Sequence, residues 1–161
     1  MTIEHLPDEA HLRVVAADPP FDAAGAAEIR SAVDKLFVQF QREGRVAAWA
    51  SECQAEGSLL VLTWTASPLS GCSHDKLHGL FAALTARSGR RIMDAPPIVV
   101  GTTTGIRCVD RAGLRGLIAT GDVDAESPIW LRSATTLGQW RREAGVRLSN
   151  SPLASLLKPS A

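Results

Sequence analysis

The stretch VAAWASECQAEGSLLVLTWT, residues 46–65, decides the fold. Val46 to Cys53 and Leu59 to Thr65 both read as strands. The residues between them, Gln54-Ala55-Glu56-Gly57-Ser58, are few enough for a hairpin. The second run is rich in Leu, Val, Thr and Trp, the composition of a mostly buried strand, and Pro68 closes it.

Before the hairpin, Leu12 to Ala16 reads as a short strand. Pro19 and Pro20 end it, since neither donates to a ladder. Asp22 caps a helix whose Ile29, Val33, Leu36, Phe37 and Phe40 recur at spacings of three and four, and Gly44 stops it. After the hairpin, Ser70 to Asp75 opens a second helix with Leu77, Leu80, Phe81 and Leu84 on one face and Gly89 at its end. Ile98-Val99-Val100 is a further strand, preceded by Pro96 and Pro97. The order strand, helix, strand, strand, helix, strand is the split βαβ arrangement of ferredoxin-like folds.

The expected class is therefore α+β: a ferredoxin-like βαββαβ core over about residues 12–100, an antiparallel sheet with two helices on one face, plus a C-terminal α/β extension, 101–161. The whole chain, 1–161, is expected to form a single domain. The second sheet face is left for the extension or for a partner, such as a homodimer through the open face. In the extension, Gly101 to Gly105 is a turn and Ile106 to Val109 a strand in a hairpin with 98–100. Asp110 caps a short helix with Leu114, Leu117 and Ile118, stopped by Gly121. Pro128 to Leu131 is a short strand, and Thr135 or Thr136 caps a last helix bearing Leu137, Trp140 and Arg141. The tail Leu148 to Ala161 is expected to be only partly ordered.

Composition narrows the function classes. The 161 residues suffice for one domain with a real core, and 45 % apolar with 21 % charged residues is ordinary for a globular chain. The formal net charge of zero carries no basic excess that points to nucleic acid. No apolar run approaches the roughly 20 residues that span a bilayer. The start MTIEHLPDEAHL lacks the charged n-region and apolar h-region of a secretory signal, so a cytoplasmic location is expected. Cys53, Cys72 and Cys108 form no CxxC pair, and their odd number argues against a disulfide framework. No cofactor motif is present.

Chemistry concentrates in Pro68-Leu69-Ser70-Gly71-Cys72-Ser73-His74-Asp75-Lys76. With Ser70 as N-cap, Cys72 sits in the first turn, where unpaired backbone N–H groups favour a thiolate. One reading makes Cys72 a nucleophile with His74 as its base. Another makes Ser73 the cap and Cys72 a small packed residue, with Gly71 permitting a sharp backbone. A third takes the small residues opening a helix as a site for an anion or polar small ligand, lined by Ser70, Gly71, Cys72, Ser73, His74 and Asp75. His74 and His78, four residues apart, share a helix side as metal ligands do. No third ligand is evident, so no metal site is expected. Trp49 and Trp64 fall on the hairpin strands and read as core anchors. A binding or regulatory module with its site at residues 70–76 ranks first, a structural or protein-interaction subunit second, and a thiol-dependent enzyme using Cys72 third.

The chain also resembles a family of small bacterial proteins, many labelled "ABC transporter ATPase". The resemblance rests on Ser70-Gly71-Cys72-Ser73-His74-Asp75, on Phe37-Val38-Gln39-Phe40 through Gly44, and on the hairpin. Leu114-Arg115-Gly116-Leu117 through Gly121-Asp122-Val123, and Thr135-Thr136-Leu137 with Trp140, are similar too. The chain departs from the family pattern at His74, where an apolar residue is usual, and after Trp140. The resemblance implies no particular activity. Leu69-Ser70-Gly71 is also similar to the start of the LSGGQ signature of ABC ATPases. However, no G-x-x-x-x-G-K-[ST] loop is present to cradle phosphates. Purified protein should therefore show no Mg²⁺-dependent ATP turnover. Micromolar ATP binding by calorimetry together with turnover would contradict this.

Overall fold

The computed structural model describes residues 1–92 and 95–159. The elements run β1 (His11–Ala16), α1 (Ala23–Arg42), β2 (Val46–Gln54), β3 (Leu59–Ala66), α2 (Gly71–Ser88), β4 (Ile98–Thr102), β5 (Gly105–Val109), α3 (Arg111–Thr120), β6 (Pro128–Leu131), α4 (Leu137–Glu143) and β7 (Val146–Arg147). The class is α+β, and every described strand pairing is antiparallel. The caps expected from sequence form: the side chains of Asp22, Ser70, Asp110 and Thr136 each accept a backbone N–H in the first turn of α1, α2, α3 and α4.

Strand β3 lies between β1 and β2, giving the order β1-β3-β2, and a second sheet has the order β5-β4-β6-β7. Alternation along β3 splits its side chains between two cores. Leu60, Leu62 and Trp64 meet Ile29, Val33, Phe37 and Phe40 of α1 and Leu77, Phe81 and Leu84 of α2. Leu59 and Val61 point the other way, with Leu12, Val14 and Ala16 of β1, toward Val99 of β4 and toward Leu137 and Trp140 of α4. The second sheet divides in the same manner. Val99 faces the first sheet, while Ile98 and Val100 pack with Leu114, Leu117, Ile129 and Leu148. The layers are therefore helices α1 and α2, first sheet, second sheet, and helix α3.

Two expectations are corrected. The four-stranded ferredoxin-like sheet is reduced to three strands, because β4 leaves the position beside β1 and becomes a central strand of the second sheet. A one-residue bridge marks the place: Asp18 and Arg91 exchange both backbone hydrogen bonds at 2.9 Å. Pro96 and Pro97 lack the N–H groups that would extend that bridge into a ladder. Ile98, Val99 and Val100 are buried, and flanking strands β5 and β6 with a layer on each face supply the cover they need. The sheet face opposite α1 and α2 is likewise not open to a second copy of the chain, since β4, β5 and α4 fill it. The expected division at residue 100 falls within β4, and one buried cluster, with Leu59 and Val61 on one side and Leu137 and Trp140 on the other, joins residues from both sides of it.

The tail also differs from expectation. Leu148 is fully buried, and Leu153, Leu156 and Leu157 pack against the α3 side through short helical turns. Residues 160 and 161 of the expected tail lie outside the described residues. No helix among the described residues is long and apolar enough to cross a membrane.

The hairpin loop is held by backbone geometry. Ala55, Glu56 and Gly57 all have left-handed φ values, 51°, 55° and 85°. The Gly57 carbonyl accepts from Phe21 N–H at 2.8 Å. A Cβ at Gly57 would lie 2.1 Å from the Phe21 carbonyl oxygen, whereas one at Gly44, also left-handed, would meet nothing within 4 Å. Gly57→Ala should thus cost about 3 kcal/mol and Gly44→Ala about 1 kcal/mol. Urea unfolding of the two variants checks the ranking, and equal losses would contradict the docking of the loop on Phe21.

Candidate functional site

Ser70 is the N-cap of α2. Its hydroxyl accepts from Ser73 N–H at 3.2 Å, so Gly71 is the first helical residue and Cys72 the second. Leu69, 7 % exposed, and Ser73, fully buried, anchor the turn to the core. Cys72 and Asp75 face solvent, and His74 is half-buried. Gly71 has no left-handed φ, and a Cβ there would have nothing within 4 Å, so the turn places no steric demand on it. The expectation that Gly71 permits a sharp backbone is corrected accordingly.

Two arginines that sequence reasoning did not single out reach this segment. Arg45 is placed by the end of α1. Its N–H bonds to the Phe40 carbonyl while Gly44 N–H bonds to that of Gln41, a Schellman closure that reverses the chain. The Arg45 guanidinium then donates to Ser73 Oγ at 2.6 Å and to Ser70 Oγ at 3.4 Å. Its Nε pairs with Glu43 at 2.8 Å, and Lys76 lies 3.8 Å from the same carboxylate. A hydrogen bond from Gln39, then the charges of Arg45 and Lys76, hold the Glu43 carboxyl below its usual range.

Arg13 comes from the middle of β1, on the strand face turned toward α2. Its guanidinium donates to His74 Nδ1 at 3.3 Å and to His78 Nε2 at 2.7 Å. The i, i+4 spacing does bring the histidines together, but around a cation. A guanidinium has donors only, so it occupies the ring nitrogens that a metal would need. No group of three ligating side chains occurs among the described residues. Burial lowers the pKa of Arg13. Burial, then the neighbouring charges of Arg13 and His78, lower that of His74. Arg13 has no carboxylate partner among the described residues, whereas Arg87, Arg91 and Arg141 pair with Glu28, Asp18 and Asp8.

For thiol chemistry the arrangement supplies exposure but no assembled base. No hydrogen bond joins Cys72 to another side chain among the described residues, and the Nδ1 of His74 is engaged by Arg13. The tryptophans belong to the cores. Trp64 is buried opposite Trp49 in the hairpin register, and Trp140 donates to Gln54 at 3.2 Å. Compared with protein-family models, curated proteins and solved structures, the chain shows no match.

The three thiols differ in environment. Burial pushes the Cys108 thiol up to about 11, reinforced by Asp18, and burial also raises that of Cys53. Cys72 alone is exposed. Iodoacetamide near neutral pH should modify Cys72 first, read by mass spectrometry of native protein. Modification of Cys53 or Cys108 at an equal rate would contradict the burial of those two side chains.

Proposed function

We propose that the chain is a small binding or regulatory module that takes an anion or the polar end of a small ligand at residues 70–76. One observation carries the reading. Two arginines from separate elements, Arg13 of β1 and Arg45 after α1, converge on the first turns of α2. The unpaired N–H groups of that turn add their own preference for negative charge. Ser70 and His74 supply further hydrogen-bonding groups, buried Ser73 holds Arg45 in place, and exposed Cys72 and Asp75 form the rim. Ligand recognition is then electrostatic, with Glu43 as the internal carboxylate that a ligand displaces from Arg45.

A second reading, a thiol-dependent enzyme using Cys72, is favoured by the exposure of that side chain alone. It requires a substrate or partner to bring the base.

Titration with inorganic phosphate at pH 6, followed by amide chemical shifts, tests the first reading. Shifts should concentrate on residues 70–76, and Arg45→Ala should weaken binding by roughly tenfold, the loss of one charge-assisted contact. Shifts spread over the surface, or none, would contradict it.

A further inference from the structure

Arg13 is tied to His74 and His78 in a way that works in only one protonation state. Both ring atoms that face it, His74 Nδ1 and His78 Nε2, accept hydrogen bonds from the guanidinium. Both imidazoles are therefore neutral and carry their protons on opposite atoms, His74 on Nε2 and His78 on Nδ1. A proton added to either acceptor turns it into a donor. The bond to Arg13 is lost and two cations face each other.

Few other charges act on this group. On α2, Asp75 favours the protonated form of His74 and is the carboxylate nearest to it in the chain. On β1, His11 shares the strand face of Arg13, but its ring stacks on Trp64 and its Nε2 bonds the Ala66 carbonyl. Strand β3 contributes no charged side chain. On α1, Glu28 is held by Arg87, near the far end of α2. Arg45 and Lys76 both pair with Glu43 beside Ser70 and Ser73.

Resting on the reading of residues 70–76 as an anion site, we propose that Arg13, His74 and His78 form a proton-gated oxyanion site. At neutral pH the neutral imidazoles occupy the donors of Arg13. Protonation frees those donors and adds a ring N–H from each histidine, converging on a tetrahedral dianion such as the phosphate group of a small ester. Binding then takes up protons, and acidification switches the site on. The lowered pKa of His74 agrees with a gate that stays shut until ligand arrives or pH falls.

Sulfate is the suitable probe, because it remains a dianion throughout the range and any pH dependence belongs to the protein. Calorimetry on the full chain should show sulfate binding several-fold tighter at pH 5.5 than at pH 7.5, with about tenfold the ceiling that a one-unit shift in a single histidine sets. In His74→Gln and His78→Gln that ratio should fall toward about twofold. Equal wild-type affinity at the two pH values overturns the gate and leaves the anion site standing. Absence of binding at both overturns gate and site together. An unchanged ratio in the variants removes these histidines from the gate. Imidazole ¹⁵N shifts of the wild-type protein give a readout that needs no variant. Without ligand at pH 7.5 the two rings should show opposite tautomers, and sulfate should raise the His74 titration midpoint. Identical tautomers, or a midpoint indifferent to sulfate, overturn the proposal.

Discussion

The structure depends on the two-sided burial of β3. Leu59, Leu60, Val61 and Leu62 are all at most 1 % exposed, and they alternate between opposite faces of the sheet. Each such side chain stabilises the fold by about 1.5–3 kcal/mol relative to exposure. Neither face can therefore be left to water. Helices α1 and α2 cover one face. The other requires a further layer, and the chain provides it by sending β4 into a second sheet. That sheet must in turn hide Ile98 and Val100, which is why α3 and the leucines of the tail lie behind it.

The candidate site is a consequence of this layering. Pairing of β1 on β3 fixes Arg13 opposite Leu62 and turns its side chain to the helical layer. Packing of Ser73, Leu77, Phe81 and Leu84 fixes the rotation of α2, which leaves His74 and His78 at the margin next to β1. The closure at Gly44 sets the direction from which Arg45 reaches Ser70 and Ser73. Three elements distant in sequence thus place two guanidinium groups against one helix opening, and each is held by contacts that the core already requires.

Much of this was legible in the sequence, for identifiable reasons. Local signals decide the helices: Asp22, Ser70 and Asp110 as caps, Gly44, Gly89 and Gly121 as stops, and apolar stripes between them. The hairpin and the strand at 98–100 follow from short apolar runs bounded by turn residues. The pairing of β4 was not legible. Its apolar run fits a place beside β1 as well as one beside β5 and β6, and only the demand for cover on both faces separates them. The run Leu59 to Leu62 carried that demand, since it lacks the polar alternation of a half-exposed strand. In the site, Ser70 and the histidine spacing could be read from local sequence. Arg13 could not, because its partners are 61 and 65 residues away, and neither could Arg45, which lies 25 and 28 residues from the serines it meets.

The claim that the two cores on either face of β3 unfold as one cooperative unit is tested most directly by native-state amide hydrogen exchange. Amides of residues 60–62 in β3 and of Val99 and Val100 in β4 should exchange in the same slowest class, through global unfolding, and respond equally to low denaturant. Exchange of the β4 and β6 amides through a separate, lower-energy opening, with β3 still protected, would contradict it.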